Sequence, residues 1–321
     1  MENEIFEKAP VPKAFFTMAL PVVFSMVISL VYNMVDTYFI ARTGNTNLVA
    51  GVSLGAPIFT LMIALGDIFG LGGSSVISRL FGEKKRRGRK TAQRLLFLWC
   101  DPANFYIHKD ELIQIFAIGI PASITNLMQS LGMTLTNRSL LPHGNDRVAA
   151  MGIIMKVNMI AVLILVGFAF GGQPLIGYNY GAKNRRRLKE ILSFAYKFEC
   201  GLGLLLTILL SLAARPMIRI FMKDNTIVSL GVPMLRMQLL GMVFVAIVLV
   251  TTCTFQSAGM ARNAFLLSIS RQGVIFAIVL MIASHTIGYQ GILLSQAISD
   301  LLTAVLAIAL YRTSVAKELH T

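Results

Sequence analysis

Asp36 lies in a long apolar run, with Tyr32 and Asn33 four and three residues before it. On a helix that spacing puts a phenol and an amide on the carboxylate's own face, within hydrogen-bonding reach. Such a group binds protons or a small hard cation. If the helix crosses a membrane, the charge costs about 2.5–3.5 kcal/mol and survives where it meets a partner, a cavity or an ion. A position among the outer headgroups, merely solvated, is the alternative. Asp300 is the second ionisable candidate, with Gln296 one turn before it and Ser299 beside it. Its readings are helix pairing and a C-terminal proton site. Asn126, Gln129 and Met133 recur at helical spacing, near Thr134, Thr136 and Asn137. That face meets either a substrate cavity or neighbouring helices. Gln173 and Asn179 are further candidates for a cavity wall, with packing as the alternative.

Other ionisable groups read as structural. Asp67 is expected to make a polar contact within its own lobe, Lys156 to snorkel to the nearer interface, and Glu199 and Lys197 to balance charge near a helix end. Cys100, Cys200 and Cys253 are scattered without metal-ligand spacing. His108, His143, His285 and His320 are isolated, with no nucleophile beside them. Gly70-Leu71-Gly72-Gly73 has no preceding strand, so tight helix packing is its expected role. The 17 methionines suit either a permissive apolar cavity or plain core filling. No enzyme, resident cofactor or metal centre is expected.

Hydrophobic residues make up 55% of the chain and charged residues 14%, with a mean hydropathy of +0.71. A soluble domain carries about 25% charged residues, so the class is an all-α polytopic membrane protein embedded in lipid. Apolar spans are expected at 14–40, 48–80, 112–141, 148–180, 190–213, 227–256, 263–285 and 289–311. Each can cross a ~30 Å core, which takes about 20 helical residues. Acidic Glu2, Glu4 and Glu7 precede the first span, which is longer than a signal's apolar region and is expected to stay in place. Residues 214–227 mix apolar and basic types and suit a short amphipathic surface piece.

The net charge of +14 does not point to nucleic acid. Basic residues gather at Lys84 to Arg94 and Lys183 to Lys189, and Lys8, Lys13, Arg262, Arg312 and Lys317 fall on the same side by helix count. This is positive-inside asymmetry, with both termini cytoplasmic and a cell-membrane location.

The chain also repeats itself. Phe16 falls on Phe116, Pro21 on Pro121 and Gly44-Asn45 on Gly144-Asn145. After a one-residue slip, Phe69 falls on Phe168, Gly72-Gly73 on Gly171-Gly172, Gly82 on Gly181 and Lys84 on Lys183. The expected organisation is a two-helix N-terminal part (1–85), a basic cytoplasmic junction (86–110) and a six-helix part (111–321). An even number of helices before the second copy makes the copies parallel repeats about an axis along the membrane normal.

Ala19-Leu20-Pro21-Val22-Val23, Tyr32 to Phe39, Gly70 to Ser75, Gly119-Ile120-Pro121 and Gly171-Gly172-Gln173-Pro174 to Tyr180-Gly181-Ala182 resemble the multidrug and toxic compound extrusion (MATE) family, in its bacterial multidrug-efflux branch. The resemblance implies two six-helix lobes, here with a complete C-lobe and an N-lobe lacking four helices. It further implies rocker-switch exchange of Na⁺ or H⁺ for small amphipathic organic cations, with Asp36 matching the family's cation-binding acid. The other reading is a non-transporting remnant that binds a partner. An uncovered C-lobe face would favour self-association of two copies.

Overall fold

A computed structural model describes residues 2–42, 46–83, 109–222 and 224–320. The junction, including Arg86, Trp99, Cys100 and His108, lies outside them apart from its last two residues, which open a helix. Among the described residues the regular structure is helical: α1 (Glu2–Glu7), α2 (Val11–Arg42), α3 (Thr46–Gly82), α4 (Lys109–Leu140), α5 (Asn145–Gly171), α6 (Gln173–Gly181), α7 (Arg185–Leu212), α8 (Ala214–Phe221), α9 (Asn225–Leu239), α10 (Met242–Ser257), α11 (Ala261–Ile269), α12 (Ile275–Thr286), α13 (Tyr289–Thr313) and α14 (Val315–His320). Seven segments are long and apolar enough to cross a membrane, or eight if α9 and α10, bent by 43°, form one span. These match the eight spans expected from the sequence, two before the junction and six after it.

Local chemistry sets the boundaries. Asn184 Oδ1 accepts from the Arg187 amide (3.2 Å) to cap α7, and Asp224 Oδ1 accepts from the Thr226 amide (2.7 Å) to cap α9. Gly171-Gly172 followed by Pro174 separates α5 from α6, with the proline at the start of α6, where no intrahelical partner is lost. α11 passes into α12 through a π-turn at Ser270–Val274. The expected surface piece is α8, anchored by the fully buried Ala214 and Ile218.

The two copies exchange partners. Helix α2 packs on α5, and α3 packs on α4 and α6, while among the described residues α2 and α3 scarcely touch. Phe16 meets Phe168 with ring centroids 6.0 Å apart at 88°, and their repeat equivalents Phe116 and Phe69 meet at 5.7 Å and 67°. Small residues let the backbones close up. A Cβ on Gly119 would overlap the carbonyl of Ile68, and one on Gly171 would overlap Ala19, the repeat equivalent of Gly119. Among the described residues the interior has two large clusters and a small one of Val76 and Ile115 between α3 and α4. One large cluster lies between α5, α9 and α10; the other joins Ala14, Phe15 and Ala19 to α6, α7 and α10.

Large apolar side chains cover the outside, among them Phe24 and Ile28 on α2 (63% and 67% exposed) and Leu212 on α7 (77%). A water-soluble monomer rarely shows contiguous apolar patches beyond a few hundred Å², whereas lipid accepts them.

Gly119→Ala is expected to destabilise the chain by about 1–3 kcal/mol, as overpacking does. Gly152→Ala, whose added Cβ would meet nothing within 4 Å, should not. Thermal unfolding of both variants in detergent checks the pair.

Candidate functional site

Asp36 and Asn33 lie on α2, and their side chains fall outside the described residues. Tyr32, one turn earlier, is 66% exposed. On α4, Asn126 is half-buried and Nδ2 donates to Asp67 Oδ2 on α3 at 2.8 Å. The expected contact within the lobe is therefore a bond between copies. Gln129 and Met133 are exposed on the next turns, with Thr134 donating to the Ser130 carbonyl (2.9 Å). Thus α4 offers amide, hydroxyl and thioether groups on the turns after Asn126.

Among the described residues, the cross-copy contacts named above lie toward one end of the bundle. They involve residues 15–23 of α2, 64–82 of α3, 114–126 of α4 and 167–181 of α5 and α6, the ends that adjoin the basic loops. Arg79 reinforces this end. Its Nη2 donates to Gln114 Oε1 at 2.8 Å, and its guanidinium lies where a side chain on Gly259 would stand. Gly259 has φ +74°, so glycine suits both the turn and the space. Tyr32, Gln129, Met133 and Thr134 lie farther from the basic end, on exposed surface.

Gln173 and Asn179 are placed in the packed base. The Gln173 carbonyl accepts from Ser257 Oγ (3.2 Å), and Asn179 Nδ2 donates to the Leu175 carbonyl (2.9 Å) and to that of Phe6 in α1 (3.3 Å). Asn179 thereby pins the N-terminal helix to α6. Lys156 is exposed, as its snorkelling role requires.

Asp300 is buried on α13. Arg271 Nε donates to its Oδ1 at 3.1 Å, and Gln296 Nε2 donates to Oδ2 at 3.2 Å. Arg271 is itself buried, inside the π-turn, and its carbonyl accepts from Ser299 Oγ (3.2 Å). At the α9–α10 bend, a Cβ on Gly241 would come within 2.9 Å of Asp300 Oδ2. A bend, a π-turn and a buried carboxylate therefore meet at one ion pair. Sequence reading missed Arg271, although a lone arginine in the apolar run 263–285 carries the same intramembrane cost that drew attention to Asp36. Glu199 and Lys197 do not balance each other. Lys197 is exposed, while Glu199 is fully buried and neither of its oxygens has a hydrogen-bond partner.

Two copies whose helices pack on one another, with an exposed polar and methionine face on α4, make a multi-span helical bundle. The chain belongs to the MatE family, whose model matches residues 21–100 and 121–283. The first match continues through the basic segment that sequence reading set apart. The chain is 22% identical to the multidrug export protein MepA of Staphylococcus aureus strain NCTC 8325, covering 94% of each chain. It is 21% identical to the MepA of Staphylococcus saprophyticus, again covering 94% of each. The first alignment runs over 428 positions against a chain of 321 residues, so it opens long gaps in this chain. Among solved structures, MATE in complex with MaL6 superposes with a TM-score of 0.89 at 15% identity, covering 99% of both chains. An outward-facing multidrug resistance MATE transporter superposes with 0.88 at 17%, covering 99% of this chain and 98% of that one. The chain is accordingly a multi-span membrane protein of a multidrug-efflux transporter family.

Arg271→Met should destabilise the chain by about 3–5 kcal/mol, because Asp300 is left buried without its cation. The double variant Arg271→Met/Asp300→Leu should recover most of that loss. Melting temperatures of the three proteins in detergent test this order.

Proposed function

We propose that the chain is a secondary active exporter in the cell membrane, moving small amphipathic organic cations outward in exchange for Na⁺ or H⁺. The supporting observation is the one-ended closure. Contacts between copies lie beside the basic loops, and exposed polar and thioether side chains follow on the far side. On the positive-inside reading, with both termini cytoplasmic, this is a bundle closed to the cytoplasm and open outward. Rocking the halves about the glycine-thin contacts would reverse the opening. Asp36, aided by Tyr32 and Asn33, carries the coupling ion on α2. Asn126, Gln129 and Met133 meet the cation on α4, and flexible thioethers suit varied apolar cargo. Gln173 and Asn179 support the floor of that cavity, and Asp300 holds the C-lobe helices in register.

A second reading draws on the exchange of partners. Helices α2 and α3 lean on the second copy and build no lobe of their own, leaving apolar faces such as Phe24 and Ile28 uncovered. Lipid covers them in a working monomer; a second copy of the chain would cover them in a non-transporting, partner-binding remnant. Nucleic acid has no part in either reading.

Ethidium efflux from an efflux-deficient bacterial host is expected to exceed that of an empty vector and to fall to the vector level in Asp36→Asn. Equal efflux by the vector and a correctly inserted wild-type chain would overturn transport. Crosslinking in native membranes should then reveal dimers if the remnant reading holds.

A further inference from the structure

Two acidic side chains are buried in the six-helix half, and their surroundings differ. Asp300 is neutralised by Arg271 and bonded by Gln296. Glu199 is 0% exposed, and both of its oxygens are without a hydrogen-bond partner. It stands about 21 Å along α7 from Arg185 at ~1.5 Å per residue, well inside a span. Tyr196 lies one turn earlier on α7, its hydroxyl 2.8 Å from Thr251 Oγ1 of α10. Cys200 follows Glu199, and the buried Cys253 is the titratable group of α10. The other helices packed on α7 bring Lys13, Tyr32, Asp36, Tyr38 and Arg42 (α2), Asp146, Arg147 and Lys156 (α5), Tyr178 and Tyr180 (α6), Arg215 and Arg219 (α8), and Arg236 (α9). Among the described side chains none bonds to Glu199.

An ionised carboxylate here would be an uncompensated charge in a low-dielectric interior, costing several kcal/mol. A hard cation would relieve it only with several further oxygen ligands around the ion; a proton relieves it alone. Protonation forms an O–H bond between a proton from water and one carboxylate oxygen, and release breaks that bond and returns the proton to water. The neighbouring residue links the site to the moving parts. Phe198 packs on Phe16 of α2 (centroids 5.0 Å apart) and on Phe168 of α5 (4.9 Å). A shift of α2 against α7 therefore disturbs the packing beside Glu199, and the Tyr196–Thr251 hydroxyl pair lies on the way toward the basic end.

We infer that Glu199 is a proton-binding site of the six-helix half, loaded while the lobe is packed and discharged when the rocking of α2 admits water. This deepens the proposed exporter reading and rests on it, with H⁺ as the coupling ion.

The full chain in lipid vesicles provides the test. Infrared difference spectra across pH should show a carboxylic-acid C=O band that is lost in Glu199→Gln, shifted in Glu199→Asp and kept in Asp300→Asn. The same band in wild type and Glu199→Gln would overturn the site. In the same vesicles a pH gradient should drive ethidium transport several-fold faster in wild type than in Glu199→Gln, with ethidium binding unchanged. Equal gradient-driven transport would overturn the coupling role. Absence of wild-type transport under any ion gradient would sink the exporter reading and this coupling role, while the band still decides the proton site.

Discussion

Helices in lipid gain nothing from hiding apolar surface from one another, so they associate where small residues let backbones approach. In this chain that constraint falls on the exchange between copies: α2 against α5, and α3 against α4 and α6. Glycines 72, 119, 171, 177 and 181 stand where any side chain would strike the neighbouring helix, and the Phe16–Phe168 and Phe69–Phe116 pairs flank them. The rest of the architecture follows from this exchange. Because α2 and α3 are each held by the second copy, the N-terminal part needs no lobe of its own to stay in place. Among the described residues the contacts gather toward the basic loops, and Tyr32, Gln129 and Met133 lie exposed farther along α2 and α4.

The Arg271–Asp300 pair is a different kind of constraint. Burying two charges gains little net stability over apolar residues of similar shape, because desolvation offsets their attraction. What the pair does here is geometric. It joins α13 to the π-turn between α11 and α12, at the level where Gly241 lets α9 and α10 bend aside. Irregular backbone in a membrane is tolerated where protein covers it. The guanidinium, the Gln296 amide and the Ser299 hydroxyl supply that cover, with the hydroxyl bonded to a carbonyl of the π-turn.

The spans, their number and the repeat were legible because apolar length and residue spacing are properties of the chain itself. The basic clusters and the short amphipathic piece expected at 214–227, where α8 covers Ala214–Phe221, were legible for the same reason. Partners were not. Asp67 looked internal to its lobe because nothing in one helix's pattern says which other helix it meets, and here the partner Asn126 is 59 residues away. Glu199 and Lys197 looked like a balanced pair because they are near in sequence, yet two residues on a helix point about 200° apart. One side chain enters the core and the other leaves it. Gln173 and Asn179 read as either cavity or packing groups because polar side chains in an apolar run allow both. The Asn179 amide nitrogen bonds backbone carbonyls of α1 and α6, while Asn179 Oδ1 and Gln173 Nε2 have no hydrogen-bond partner among the described residues.

These placements bear on which ion can drive the exchange. A Na⁺ site needs several oxygens from more than one element held at fixed distances. A proton needs one carboxyl and an environment that changes between states. Asp36 on α2 and Glu199 on α7 are separate carboxyls, and the edge-to-face contact of Phe16 with Phe198 joins their helices. On the proton-coupled reading proposed above, a movement of α2 would act on both helices at once.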